Sequence, residues 1–183
     1  MSIIYDDMQR TITLHTKNTT YQMQIDRFGF LLHLYYGKKA DGCMDYLLTY
    51  YDRGFSGNPY DAGNDKTYSM DSLPQEFPSL GTGDYRTPAC IIKNPDRTYC
   101  SDFRYESHCI KKGKYALKGL PAVYADDDEA QTLEVVLIDR VSGVRAMLLY
   151  GVLPEYDVIT RSVQIINGSE GRISVKKLAP ACL

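Results

Sequence analysis

Residues that bind hydroxyl-rich molecules are concentrated in one long segment of the sequence, residues 37–88. Aspartate and arginine hold sugar hydroxyls through charge-assisted hydrogen bonds, and an aromatic ring covers the apolar face of a sugar. The segment therefore indicates a site for a hydroxyl-rich ligand or a protein neighbour, with an ordinary large surface loop as the alternative. The candidate binding residues are Asp52, Arg53, Phe55, Ser56 and Asn58.

A second group of candidates follows in the stretch GTGDYR, residues 81–86. It lacks the third glycine of a dinucleotide loop and the Gly-Lys-Ser/Thr of a Walker loop, and a strand rather than a helix is predicted after it, which excludes a phosphate cradle. The glycines instead allow a tight backbone path at the end of the long loop. If a strand begins here, Asp84 and Arg86 project from one face, and we expect them to brace residues 52–58.

Other catalytic arrangements find no support in the residue spacing. The three histidines, His15, His33 and His108, have no partners at metal-ligand spacing, so we interpret them as surface or cross-strand residues. The acidic run 126–129 lacks the alternating ligands of a calcium loop and is interpreted as a solvated loop. No G-x-S-x-G motif occurs, and no carboxylate pair can be assigned. We therefore expect no metal, no cofactor and no catalytic residue.

The elements that position these residues are predicted to be strands. Apolar and polar residues alternate in 10–16 and 19–25, and a third strand runs from Phe30. Strands resume at 89–94 and 101–113, where Phe103, Tyr105, Ser107 and Cys109 are expected to share a face. Four more are predicted within 132–178, and no stretch keeps a helical period. This pattern is typical of an all-β fold, an antiparallel β-sandwich of two large sheets with little helix.

Composition narrows the class of protein. The 183 residues form one domain of ordinary size, and 21 Lys and Arg against 23 Asp and Glu give a net charge of −2, so we expect no nucleic-acid partner. No apolar run approaches the length of a membrane span and no leader segment is visible, which predicts a cytoplasmic protein without membrane contact. The five cysteines have no C-x-x-C spacing, which favours reduced, mostly buried thiols.

Two further observations suggest a part of a larger protein. The chain has 16 tyrosines but no tryptophan, which is unusual for a complete sugar-processing enzyme. Its last residues, VKKLAPACL, are apolar without a polar tail, as at a domain boundary. We expect the natural protein to be longer.

The sequence resembles the N-terminal domain of bacterial α-galactosidases of glycoside hydrolase family 36. The resemblance rests on DRGFSGNPY, SLPQEFPSLGTGDYRTPA, GLPAVYA, AQTLEVVLID, LLYGVLPEYDVITRS and LAPACL, which cover essentially the whole chain in the family's order. It implies a β-supersandwich over residues 1–183, followed by a catalytic (β/α)₈ barrel. The family removes terminal α-1,6-linked galactose from melibiose and raffinose with retention, using two barrel aspartates, one of them in a Lys-Trp-Asp motif. Without tryptophan or barrel, this chain inherits neither role.

The resemblance also implies partners. These are the chain's own barrel domain, a galactose-containing oligosaccharide and, in the full-length enzyme, further copies in a homo-oligomer, commonly a tetramer. It implies that Asp52, Arg53, Phe55, Ser56 and Asn58 contact substrate beyond the galactose, while Asp84 and Arg86 fix the loop. Two alternatives remain open, a free-standing carbohydrate-binding module and a pure oligomerisation domain.

Overall fold

The chain folds almost entirely into strands. The computed structural model describes residues 2–52, 54 and 57–181, and in these it contains ten strands, three single 3₁₀ turns and no α-helix. The 3₁₀ turns are Asp45–Leu47, Tyr60–Ala62 and Pro154–Tyr156. The strands are β1 Ile3–Asp6, β2 Thr11–His15, β3 Thr19–Ile25, β4 Leu31–Lys38, β5 Cys90–Lys93, β6 Phe103–Lys112, β7 Gln131–Asp139, β8 Arg145–Leu153, β9 Val158–Ile166 and β10 Ser174–Leu178.

Two large antiparallel sheets confirm the predicted sandwich. The first sheet has the order β1-β2-β3-β4 and the second β6-β7-β8-β9, so each strand pairs with its neighbour in sequence. A small third sheet, β10-β5, was not predicted. Side chains that alternate along the strands fill the space between the large sheets, because successive residues point to opposite faces. The buried core joins Ile12 and Met23 of the first sheet to Leu133, Val135 and Leu148 of the second.

Most predicted strands are confirmed, with two differences. β1 was not predicted, because its four residues are too few to show alternation. In β6 the register shifts between Tyr105 and Ser107, so the predicted shared face breaks there. His108 pairs with the core residue Val135, and Cys109 therefore points outward.

The described cysteines are free, as predicted, but mostly not buried. Cys90 is buried and Cys43 half-buried, whereas Cys100 and Cys109 are exposed. Burial raises the pKa of the Cys90 thiol to about 12. Cys182 lies outside the described residues. Within the part of the chain that the structure describes, no helix is long and apolar enough to cross a membrane.

The long segment between β4 and β5 has a core of its own. Phe30, Leu32, Ala62, Tyr68, Met70 and Leu73 form this second buried cluster. Tyr68 donates its hydroxyl to the Asp26 carboxylate, which also accepts from the backbone N–H of Phe28 and Phe30. The segment is therefore anchored to the turn that precedes β4, although it contains no long strand or helix.

A candidate substrate-rim loop and its supports

The long segment is also tied to the edge of the first sheet. The backbone N–H of His33 donates to Pro74 O at 2.7 Å, and Glu76 N donates to Leu31 O at 2.9 Å. Leu32 and Gln75 form an antiparallel bridge. Since β4 is an edge strand, residues 74–76 pair with part of its otherwise unpaired backbone N–H and C=O groups. These bonds fix the position of this part of the long segment.

The predicted binding residues belong to residues 52–58 of this segment, which we call the rim loop. Asp52 is exposed, and its carboxylate accepts the N–H of Gly54 at 2.7 Å, which closes a tight turn. Asn58 is half-buried, and its side-chain amide donates to Asp65 O at 2.7 Å. Arg53, Phe55 and Ser56 lie outside the described residues. The contacts that the structure does describe stabilise the loop itself, and substrate contact by these residues stays a prediction.

Asp84 and Arg86 form a two-point ion pair. Arg86 Nε lies 2.8 Å from Asp84 Oδ1, and Nη2 lies 2.7 Å from Oδ2. The condition for the shared face, a strand that begins at residue 84, is not met, because residues 84–89 are irregular and β5 begins only at Cys90. Their side chains meet because the backbone turns, with Asp84 Oδ1 also accepting the N–H of Arg86 at 3.0 Å.

The same pair holds the second core in place. Arg86 Nη2 donates to Met70 O at 3.0 Å and to Leu73 O at 2.7 Å, while Gln75 donates to Asp84 Oδ2 at 2.9 Å. Burial by itself raises the pKa of the Asp84 carboxyl, but the hydrogen bonds from Arg86 outweigh it and hold that pKa below its ordinary value. These contacts reach residues 70–75, and the bracing of residues 52–58 by this pair stays a prediction.

One structural residue was missed by the sequence analysis, the buried glutamate Glu76. Its side chain is 1% exposed, and it accepts the hydroxyls of Tyr21 and Tyr150, each at 2.7 Å. Arg161 Nη2 lies 2.7 Å away and His33 Nδ1 3.3 Å away. We call this group the Glu76 cluster. It joins β3 and β4 of the first sheet to β8 and β9 of the second.

The charge of Glu76 is stabilised by its surroundings. Burial raises the pKa of this carboxyl, yet His33, Arg161 and the two tyrosine hydroxyls lower it further than burial raises it, so the net shift is downward. Burial beside the carboxylate raises the pKa of both Tyr21 and Tyr150 far above the ordinary value, so they remain donors. The only signal in the sequence is an acid set between apolar residues and prolines, LPQEFP.

The Glu76 cluster forms the floor of a cleft of about 470 Å³. Its lining includes Pro74, Pro78, Asp84, Arg86 and Thr87.

A glycosidase needs one carboxylic acid with a raised pKa to protonate the leaving group. Every described carboxyl whose pKa departs clearly from its ordinary value has it lowered. Among the residues that the structure covers, no group of three His, Cys, Asp or Glu side chains could hold a metal ion.

The remaining candidates have structural contacts. His15 Nδ1 lies 2.9 Å from Thr20 Oγ1 on the neighbouring strand, which agrees with a cross-strand role. His108 is half-buried, and its Nδ1 lies 2.7 Å from the hydroxyl of Tyr105 on the same strand. The acidic run 126–129 is exposed, as predicted.

The described residues define an all-β domain with a long irregular segment that is anchored to the first sheet. Comparison with known sequences places it more closely. A sequence model of the glycosyl hydrolase family 36 N-terminal domain matches residues 29–183, and the chain belongs to this family.

Individual relatives agree with this placement. The chain is 60% identical over 183 residues to the bifunctional α-galactosidase/sucrose kinase AgaSK of Mediterraneibacter gnavus, covering 100% of this chain and 20% of that protein. The solved galactosidase domain of AgaSK superimposes with a TM-score of 0.97 over 99% of this chain and 25% of that one, at 60% identity. The structure of a variant of the α-galactosidase AgaA from Geobacillus stearothermophilus, in complex with raffinose, superimposes with a TM-score of 0.87 at 36% identity. The match covers 92% of this chain and 23% of that one. The chain thus spans about a quarter or less of these relatives.

Proposed function

We propose that this chain is the non-catalytic N-terminal domain of a retaining α-galactosidase that removes terminal α-1,6-linked galactose from sugars of the melibiose and raffinose type. The observation that carries the proposal is the match of the whole chain to AgaSK at 60% identity. In this proposal a catalytic (β/α)₈ barrel follows residue 183, and it supplies both reacting carboxylates.

The chemistry of the described carboxyl groups supports a non-catalytic role. Glu76 and Asp84 line the cleft, and each has an arginine partner. The pKa of each of these two carboxyls is lowered, so both are held as carboxylates. A group with a lowered pKa is a poor general acid near neutral pH. The lowered pKa values argue against Glu76 and Asp84 as the general acid, and the proposal assigns both the acid and the nucleophile to the barrel.

The rim loop is the part of this domain that we assign to the substrate. Asp52, Arg53, Phe55, Ser56 and Asn58 would contact sugar residues beyond the galactose, and the Asp84–Arg86 pair would keep the loop base in place. The raffinose complex of the AgaA variant supports a substrate of this type. We further propose a homo-oligomer, a tetramer by resemblance, and a cytoplasmic location, which the four free cysteines support.

The test compares two proteins, residues 1–183 alone and the same chain extended through the proposed barrel. We expect the fragment to leave melibiose and raffinose intact and the longer protein to release galactose from both. Turnover by the fragment would show that this domain carries its own active site. An inactive but folded longer protein would contradict the assignment as an α-galactosidase.

A further inference from the structure

Two glycines bring the rim loop and the GTGDYR corner into backbone contact. A Cβ added to Gly57 would lie 3.1 Å from Gly83 Cα, and one added to Gly83 would lie 2.7 Å from Gly57 O. Gly83 also has a φ of +84°, which side-chain-bearing residues rarely adopt. Neither position accepts a side chain without moving the other backbone. The corner and the loop are therefore held together by the absence of two side chains.

Tyr85 extends from this contact into solvent. On either side of it, Asp84 and Arg86 turn towards each other and towards Gln75 and Leu73. Tyr85 is left 81% exposed, and its hydroxyl lies 3.7 Å from the position that a Gly57 Cβ would occupy. Tyr60 and Tyr124 are exposed to a similar degree, but Tyr85 lies beside the Gly57–Gly83 contact and its two sequence neighbours anchor its backbone.

We propose that Tyr85 is a specificity-determining residue, an aromatic platform that stacks on the sugar ring joined to the galactose, and that the Gly57–Gly83 contact positions it. This inference rests on the proposed function. A tyrosine offers a flat apolar face with little side-chain entropy to lose, and an immobilised backbone lowers the ordering cost of binding further. The platform contacts the leaving sugar and takes no part in bond cleavage.

The first experiment replaces Tyr85 in the full-length protein and compares two substrates. Raffinose carries a disaccharide on its galactose, whereas methyl α-galactoside carries only a methyl group. We expect Tyr85→Ala to lower kcat/KM for raffinose about 3- to 10-fold, mainly through KM, and to change the value for methyl α-galactoside less than about twofold. Tyr85→Phe keeps the ring and should retain most of the raffinose activity.

Tyr124→Ala is the matched control, since Tyr124 is 86% exposed but lies on a different loop. It should leave both substrates unaffected. Equal losses on both substrates in Tyr85→Ala would overturn the platform. So would an unchanged raffinose KM, or a changed oligomeric state by light scattering with unchanged selectivity, since an interface tyrosine would behave in this way.

The second experiment tests the positioning role through Gly83→Ala. We expect it to reproduce the selective loss on raffinose, because the added Cβ separates the corner from the rim loop. Gly42→Ala is its control, since Gly42 has a φ of +88° but nothing within 4 Å of the added Cβ. Gly42→Ala carries the same backbone strain, so a similar raffinose loss in both variants would contradict the contact argument.

The two levels of proposal fail separately. If the full-length wild type released no galactose from either substrate, the proposed function would be wrong. If it were active and Tyr85→Ala kept the wild-type ratio of raffinose to methyl α-galactoside, only the platform would be refuted. Thermal unfolding of each variant shows whether a loss reflects misfolding, and Tyr85→Phe provides a conservative replacement that retains the fold.

Discussion

Glu76 joins three parts of the molecule through a single carboxylate. Tyr21 belongs to the first sheet, Tyr150 and Arg161 belong to the second, and Glu76 itself lies in the long segment. A buried charge is strongly unfavourable unless its partners compensate it, and removing one member of such a group leaves the others buried without compensation. The Glu76 cluster therefore makes the position of the long segment depend on both sheets.

The replacement Glu76→Gln tests this dependence. It preserves the shape of the side chain but leaves the Arg161 guanidinium, whose side chain is 14% exposed, without its counter-charge. We expect a loss of about 3 kcal/mol in the free energy of unfolding, measured with urea on residues 1–183. The control, Glu134→Gln, removes the same charge from an exposed pair with Lys111 and should cost less than about 1 kcal/mol. Equal losses in the two variants would contradict the special role of Glu76.

The pH dependence of stability follows from the same residues. The pKa values of Glu76 and Asp84 are lower in the folded chain than in the unfolded one. Their contribution to stability is therefore complete above the unfolded value, about 4, and is lost as the pH falls through the folded values. We expect the free energy of unfolding to decrease below about pH 4, and to decrease less steeply in Glu76→Gln. An acid profile of Glu76→Gln as steep as that of the wild type would refute this.

The partners of Glu76 could not have been predicted from the sequence. The acid itself is visible between Pro74 and Phe77, and its burial could be suspected from these neighbours. Tyr150 and Arg161 come from strands far along the chain, and only the registers of β8 and β9 bring them to the same place. The contact between Asp84 and Arg86 is local, so their spacing could single them out, but no strand forms at residue 84 and the bracing of residues 52–58 stays a prediction.

Among the elements, β8 carries an unusual glycine in the middle of a long strand. Gly151 lies between Thr132 of β7 and Thr160 of β9, on the face of the second sheet that points away from the core. The segment after β6 crosses this face. Thr132 Oγ1 donates to Gly113 O and accepts the N–H of Tyr115. The glycine leaves room for the Lys114 side chain to cross the sheet.

Gly151→Ala should therefore disturb the crossing segment. The added Cβ would lie 2.3 Å from Lys114 Cδ and 2.6 Å from Thr160 Oγ1. We expect a loss of about 1.5 kcal/mol in the free energy of unfolding, as for an overfilled site. The double variant with Lys114→Ala should recover part of it, since that change removes the nearest clashing atoms. Strict additivity of the two single effects would show that the residues do not interact.

Strands were predictable where apolar and polar residues alternate in the sequence. This alternation indicated β2 and β3, although their polar faces are largely buried as well. The alternation breaks at the β6 bulge, because one extra residue moves the following side chains to the opposite face of the sheet. It also gives no information on the second core, since residues in irregular backbone do not repeat with a regular period. The small sheet was missed because the sequence shows strands at 89–94 and near residue 178 but not that these two distant strands pair with each other.

Across the whole molecule, the distribution of buried backbone hydrogen bonds predicts that amide hydrogens exchange with solvent at very different rates. Amide hydrogen exchange on residues 1–183 should be slowest in β7 and β8, which pair on both sides and fill the core. Residues 68–73 should also be protected, although they form no strand, because the second core and Arg86 hold them. Residues 116–129 are almost entirely exposed and serve as the comparison. Equally fast exchange in both segments would contradict the anchoring described for the long loop.

The small sheet fixes the position of the last described strand. β10 runs antiparallel to β5, with Leu178 opposite Cys90 and Ala179 N donating to Ala89 O at 2.9 Å. Ala89 is four residues from Tyr85, at most about 14 Å of chain. If a barrel follows, it is tethered at the edge of the sandwich that carries the corner. A barrel joined to β10 would be at a high effective concentration near this corner, so their contact would need little affinity of its own.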